Sequence, residues 1–254
     1  MIFFDTYAYN NKLKASPVEK CIFAILTMGI CLASKSITVP ALVILMMSAI
    51  TIAKARVPAG YYIKMLLLPL SFLLISVCTI LITFVDGREN ILISFYIFDY
   101  LLGITAEGIE TAFNLIFKSL GAVCCLYFLT VTTPMIQIMS VLRKIKCPSI
   151  IVELMGLIYK LIFVLIETAE RIYISQDARL GYRSIKRGYH SLAQLASTLF
   201  VRSLYRSNAL YISLEARGYD GELMVLEEKY HYYFHNILAI IIIDGGLVLL
   251  LFVL

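Results

Sequence analysis

Long apolar runs separated by short polar breaks fill the first half of the chain, and mixed stretches fill most of the second. The first run, PVEKCIFAILTMGICLA at residues 17–33, opens on Ser16-Pro17-Val18-Glu19. Proline there sits in the first helical turn, where its missing N–H costs nothing. A polar break, SKSI, leads to a second run at 37–53, close enough to form a helical hairpin with the first. A basic loop holding Lys54, Arg56 and Lys64 precedes a third run at 65–84, in which Pro69 predicts a kink or a break. Residues 85–104, with Asp86, Arg88, Glu89 and Asp99, read as a long, slightly acidic connection. A fourth run covers 105–131, and the last covers 232–254. Helical runs of about 18 to 20 apolar residues suffice to cross the hydrocarbon layer.

Residues 132–231 differ in kind. Pro134 to Ile145 predicts a short amphipathic helix, ended by Lys146-Cys147-Pro148. From Ser149 to Leu180 there is no proline and a single glycine, Gly156, which predicts one long helix. Glu153, Lys160 and Glu167 recur at every seventh position, joined by Glu170 and Arg171, as a narrow polar stripe on an apolar cylinder. A break over 181–188 leads to a second long helix, 189–217, where His190, Gln194, Thr198, Arg202 and Arg206 recur at every fourth position. Gly218 and Gly221 stop it.

Composition turns these runs into a class. The chain is 61% hydrophobic and 15% charged, whereas soluble domains carry roughly a quarter charged residues. The expected fold is an all-α integral membrane protein with about five transmembrane helices and a cytoplasmic coupling domain of two long helices and one short one. The net charge is +5, and thirteen of the 22 basic residues lie in 132–231. Placing that segment in the cytoplasm with Lys12, Lys14, Lys20, Lys54, Arg56 and Lys64 leaves Lys35 and Arg88 outside. This gives a membrane domain at 1–131, a cytoplasmic domain at 132–231 and a last crossing at 232–254, with the N-terminus inside and the C-terminus outside. The two long helices are then read as lying against the membrane face and each other. The polar start MIFFDTYAYNNKLK lacks the apolar core of a secretory signal, so no cleaved presequence is expected.

Candidate chemistry is sparse. The chain has three histidines, no tryptophan and no GxxxxGK[ST] loop, so it is not expected to hydrolyse ATP alone. No catalytic constellation stands out. Cys21, Cys31, Cys78, Cys124, Cys125 and Cys147 lack metal-ligand spacing, and all but one lie in apolar runs. His231 and His235 share a helix face, but Tyr230, Tyr232 and Tyr233 around them read as an interfacial belt. No metal, cofactor or nucleic-acid site is expected. Lys118, with Glu110 and Asn114 on the same face, and Asp244 lie deep in their crossings and form a candidate intramembrane pair, unless one of them faces a partner subunit.

The most specific signal is a repeat. SQDARLGYRS at 175–184 and SLEARGYDGEL at 213–223 each place Ala-Arg at the end of a long helix. A planar guanidinium at such a tip can enter a partner's groove and pair with carboxylates or backbone carbonyls. Two tips suggest two grooves.

The stretches ARLGYRSIKRG (178–188), LFVRSLYRS (199–207) and LEARGYDGEL (214–223) resemble the transmembrane T component of energy-coupling-factor transporters, in its cobalt/nickel branch, the CbiQ-type proteins. YAYNNKLKASPVEK and ARVPAGYYIKMLLLPLSFLLIS (55–76) carry the same resemblance. It implies that Ala178-Arg179-Leu180 and Ala216-Arg217-Gly218 dock onto two ATP-binding-cassette subunits, with Arg179 and Arg217 as the coupling arginines. The long helices would then transmit nucleotide-driven closure to a separate substrate-binding membrane subunit. ATP would sit on the partner ATPases, and the cargo would be cobalt or nickel. The alternatives are a general T component serving several vitamin-binding subunits, or a stand-alone secondary transporter.

Overall fold

The computed structural model describes residues 15–81, 83–84, 91–97, 100–219 and 234–253. The start at 1–14, the loop residues Asp86, Arg88, Glu89 and Asp99, and His231 with Tyr230, Tyr232 and Tyr233 lie outside the described residues. The chain is an all-α membrane protein with one small sheet. In order come α1 (Pro17–Ala33), α2 (Thr38–Ala49, continued by a π-helical turn Ile50–Lys54) and α3 (Ala59–Leu81). Strands β1 (Thr83–Phe84), β2 (Ile91–Ile97) and β3 (Tyr100–Thr105) follow. Then come α4 (Ala106–Thr132), α5 (Met135–Lys144), α6 (Ser149–Ala178), α7 (Ile185–Glu215) and α8 (Phe234–Val253).

Two compact units result, one made of residues 2–134 and 229–254, the other essentially 135–228. In the first, α1, α2 and α3 all pack on α4, and α8 packs on α1. The buried core between them holds Phe23, Val43, Met47, Cys124, Phe128 and Leu247. Phe23 and Phe128 meet edge to face at 5.8 Å. Helix α4 approaches α1 so closely at Gly121 that a Cβ there would lie 2.5 Å from Cys31 Sγ. At the start of α1 the Glu19 carboxylate accepts from the Ser16 backbone N–H at 3.1 Å, satisfying one orphan donor of the first turn. Next to it Lys20 Nζ donates to Thr132 O at 2.9 Å, placing a cation on the carbonyl end of α4.

Two expectations change here. The third helix starts at Ala59 and runs unbroken through Pro69. Proline removes the N–H that would bond Met65 O, and the Tyr127 hydroxyl on α4 donates to that carbonyl instead, at 3.1 Å. The connection read over 85–104 carries β2 and most of β3, which join β1 in an antiparallel sheet of order β1-β3-β2, with Ile97 paired to Tyr100 and Phe84 to Leu102. ILISFYI and YLLGIT are rich in β-branched and aromatic residues, and that signal outranks the few acids around them.

Among the described residues, Ala59–Leu81, Gly108–Thr132 and Ser149–Ala178 are long and apolar enough to cross a membrane by length and composition, while Thr38–Lys54 and His235–Leu251 are shorter apolar helices.

The second unit is a helical hairpin with a short lead helix. Helix α5 packs on α6, and α6 packs on α7. Helix α7 begins at Ile185, four residues earlier than the sequence pattern placed it, because Ser184 caps it: its Oγ accepts from the Arg187 N–H at 3.4 Å.

Candidate partner-coupling tips

Both long helices end in the same turn. At the end of α6 the N–H of Arg179 donates to Gln176 O (3.2 Å), that of Leu180 to Asp177 O (2.9 Å) and that of Gly181 to Gln176 O (2.9 Å). At the end of α7 the N–H of Arg217 donates to Leu214 O (3.0 Å), that of Gly218 to Glu215 O (3.0 Å) and that of Tyr219 to Leu214 O (3.1 Å). Residue for residue these are one motif, the Schellman closure, in which a left-handed residue folds the chain back over the last carbonyls. The left-handed residue follows the arginine in both: Leu180 has φ +58° and Gly218 has φ +77°. Glycine takes that conformation freely, whereas a residue with a Cβ pays about 1–2 kcal/mol.

The first turn is held from several sides. Gln176 Nε2 donates to Ser191 O at 3.0 Å, Ser191 Oγ donates to Gly181 O at 3.0 Å, and Tyr182 Oη donates to Gln176 Oε1 at 2.8 Å. The Tyr173 and Tyr182 rings lie 4.7 Å apart. Burial, and after it the neighbouring Tyr173 and Asp177, push the Tyr182 phenol above its usual value. Gly181 is required, because a Cβ would meet Ser191 Oγ at 2.7 Å and Gln176 O at 2.8 Å. The second turn is tied one residue past its glycine, where Tyr219 Oη donates to Glu153 Oε2 at 2.8 Å.

These bonds fix the geometry of the hairpin. Gln176 meets Ser191 at one end, and Glu153 meets Tyr219 at the other, so α6 and α7 run antiparallel. The two tips therefore lie at opposite ends of α6. Some 25 residues of helix separate Glu153 from Ala178, or roughly 38 Å at about 1.5 Å per residue. Ala178, Arg179, Leu180, Ala216, Arg217 and Gly218 are all exposed. Among the described residues neither guanidinium makes a hydrogen bond or an ion pair, so both are available to a partner.

The intramembrane pair is not formed. Among the described residues no ion pair joins Lys118 to Asp244. Asp244 is buried, and its Oδ1 lies 3.0 Å from Thr27 Oγ1, which also bonds Phe23 O at 2.7 Å. Lys118 is partly exposed, and its backbone carbonyl faces Cys31, one turn along α1 from Thr27. A neutral hydroxyl thus takes the place expected for the lysine. Asn114 donates to Lys35 O at 2.7 Å, and His235 is exposed.

Sequence reading found the arginines but missed Gln176, Ser191, Tyr182 and the Glu153–Tyr219 bond. The available signal was the acid that precedes each Ala-Arg, Asp177 and Glu215, which occupies the same step of both turns.

Helices long and apolar enough to cross a membrane define an integral membrane protein, and its second unit carries two matched cationic helix ends. Comparison with known proteins makes this specific: a sequence model of the family described as CbiQ, cobalt transport protein, matches residues 10–230, and the chain belongs to that family. An uncharacterised protein of Methanocaldococcus jannaschii is 33% identical over 88% of this chain and 82% of its own length. The cobalt transport protein CbiQ of Rhodobacter capsulatus is 31% identical over 89% of this chain and 87% of its own. A putative fused cobalt transport protein, CbiMQ, of Methanocorpusculum labreanum is 32% identical over 90% of this chain, which spans 39% of the fused protein.

Proposed function

We propose that this protein is the transmembrane energy-coupling subunit of an ATP-driven, energy-coupling-factor uptake transporter for cobalt or nickel ions. One observation carries the reading: two arginines in identical helix-end turns stand at opposite ends of a single hairpin. A partner with two equivalent grooves tens of ångströms apart, such as a pair of cassette ATPases, suits that spacing. Arg179 and Arg217 each enter one groove. Closure of the ATPase pair on ATP then pulls on both ends of the hairpin, and α6 and α7 carry the motion to a substrate-binding membrane subunit. The chain itself is non-catalytic, ATP stays on the partner subunits, and the ion is captured by the membrane partner. Although Ser149–Ala178 is apolar and long enough to cross, the thirteen basic residues of 132–231 favour a hairpin lying against the cytoplasmic face of the plasma membrane, with five crossings placing the N-terminus inside. The fused relative, whose name joins a second component to this one, favours a dedicated membrane partner over a component shared among several vitamin-binding subunits.

The test is co-purification of the cassette ATPase with wild type, Arg179→Glu, Arg217→Glu and the double variant. Charge reversal at both tips is expected to abolish the complex and cobalt- or nickel-dependent ATP hydrolysis while the chain still inserts. A double variant that binds and couples like wild type would reduce the arginines to helix ends and sink the reading.

A further inference from the structure

The two tips share their backbone but not the side chain that their backbone presents. At the second tip the left-handed position holds Gly218, around which a Cβ would meet nothing within 4 Å. At the first it holds Leu180, which takes the same strained conformation and leaves its side chain 56% exposed. Neither backbone preference nor burial within the chain accounts for a leucine there, since glycine would close the turn with less strain and the isobutyl group is not packed away. The surroundings nonetheless hold it: Gly181 admits no Cβ, Ser191 bonds Gly181 O, Gln176 bonds Ser191 O, and Tyr182 bonds Gln176.

We propose that the tips are not interchangeable: the first is a preset apolar anchor, in which the Tyr182–Gln176–Ser191 network positions Leu180 beside Arg179 to fill an apolar floor in the ATPase groove, while the second engages through Arg217 alone. This rests on the coupling reading above. It adds Gln176, Tyr182 and Ser191 as positioning residues and makes Leu180 the contact that distinguishes one groove from the other. An exposed aliphatic side chain next to a cation matches a groove with an apolar base and an acidic or carbonyl rim, the arrangement in which buried anchors carry binding energy.

The experiment measures affinity of the purified cognate cassette ATPase for the full-length chain in lipid nanodiscs, with thermal denaturation of each variant alongside. Leu180→Gly relieves the backbone, so the variant is expected to denature no earlier than wild type yet to bind about tenfold more weakly, with Leu180→Met within about threefold of wild type. Tyr182→Phe is expected to weaken binding in the wild-type background and to have little effect once Leu180 is glycine, because its role runs through that side chain. Additive losses in this cycle would remove the positioning role. If Leu180→Gly binds within about twofold of wild type while Arg179→Glu abolishes binding, the anchor is overturned and the coupling reading stands. If Arg179→Glu also binds like wild type, the coupling reading falls and takes the anchor with it.

Discussion

Gly181 and Leu180 show how much of the first tip rests on single atoms. Leu180 occupies a backbone region that favours glycine, and the next residue is a glycine for a different reason. Gly181 needs no positive φ. It needs the absence of a Cβ, because Gln176 O belongs to the helix that the turn closes and cannot withdraw. Gly181→Ala is therefore expected to destabilise the turn by about 1–3 kcal/mol, the usual cost of overpacking. Limited proteolysis would read this as new cleavage near residues 179–184; an unchanged digestion pattern would mean that the turn relaxes freely. Leu180→Gly, one residue earlier, should have the opposite sign. Sequence reading placed arginines at both tips from Ala-Arg alone, but whether the following residue is left-handed depends on bonds to Gln176 and Asp177 that only the folded turn displays.

Helix α3 illustrates the same dependence at the level of an element. Pro69 lies inside it, and the sequence alone predicts a kink or a break where the helix in fact continues. Tyr127, 62 residues beyond Met65, settles the matter by donating to the carbonyl that the proline orphans. Within a bilayer an orphan carbonyl has no water to turn to, so the hydroxyl matters more there than at a surface. Tyr127→Phe is expected to cost about 1–3 kcal/mol in the Pro69 background, the penalty for an unsatisfied buried acceptor. With Pro69→Ala the restored N–H takes over, and the same change should cost little. Thermal denaturation in detergent across the four variants measures the coupling; equal costs in both backgrounds would mean that the hydroxyl and the proline are unrelated. The small sheet is the converse case. Its strands are visible in β-branched and aromatic content, but their pairing is a matter of contact between segments.

For the whole molecule, the decisive length is the distance between the tips. Antiparallel pairing of α6 and α7 places Ala178 and Ala216 at opposite ends of the hairpin, so nitroxide labels there, in a background cleared of native cysteines, should lie about 35–45 Å apart by pulsed electron spin resonance. A separation near 20 Å would mean that the tips converge and serve one groove. The hairpin also leaves Ile158, Ile166, Phe200, Leu204 and Ile212 exposed. Apolar stripes of this kind seek cover from lipid or from other protein.

What the sequence determined by itself is local: which runs are apolar enough for helices, where proline and glycine interrupt them, and that an Ala-Arg step ends both long helices. These follow from neighbours along the chain, where periodicity and propensity act within a few residues. Tertiary structure decided the rest. It gave Asp244 to Thr27 rather than Lys118, handed the carbonyl freed by Pro69 to Tyr127, and set the two arginines at opposite ends of one hairpin. Each of those outcomes joins residues dozens to hundreds of positions apart. They depend on the packing of whole helices against one another, a sum over many contacts that no short stretch of sequence contains.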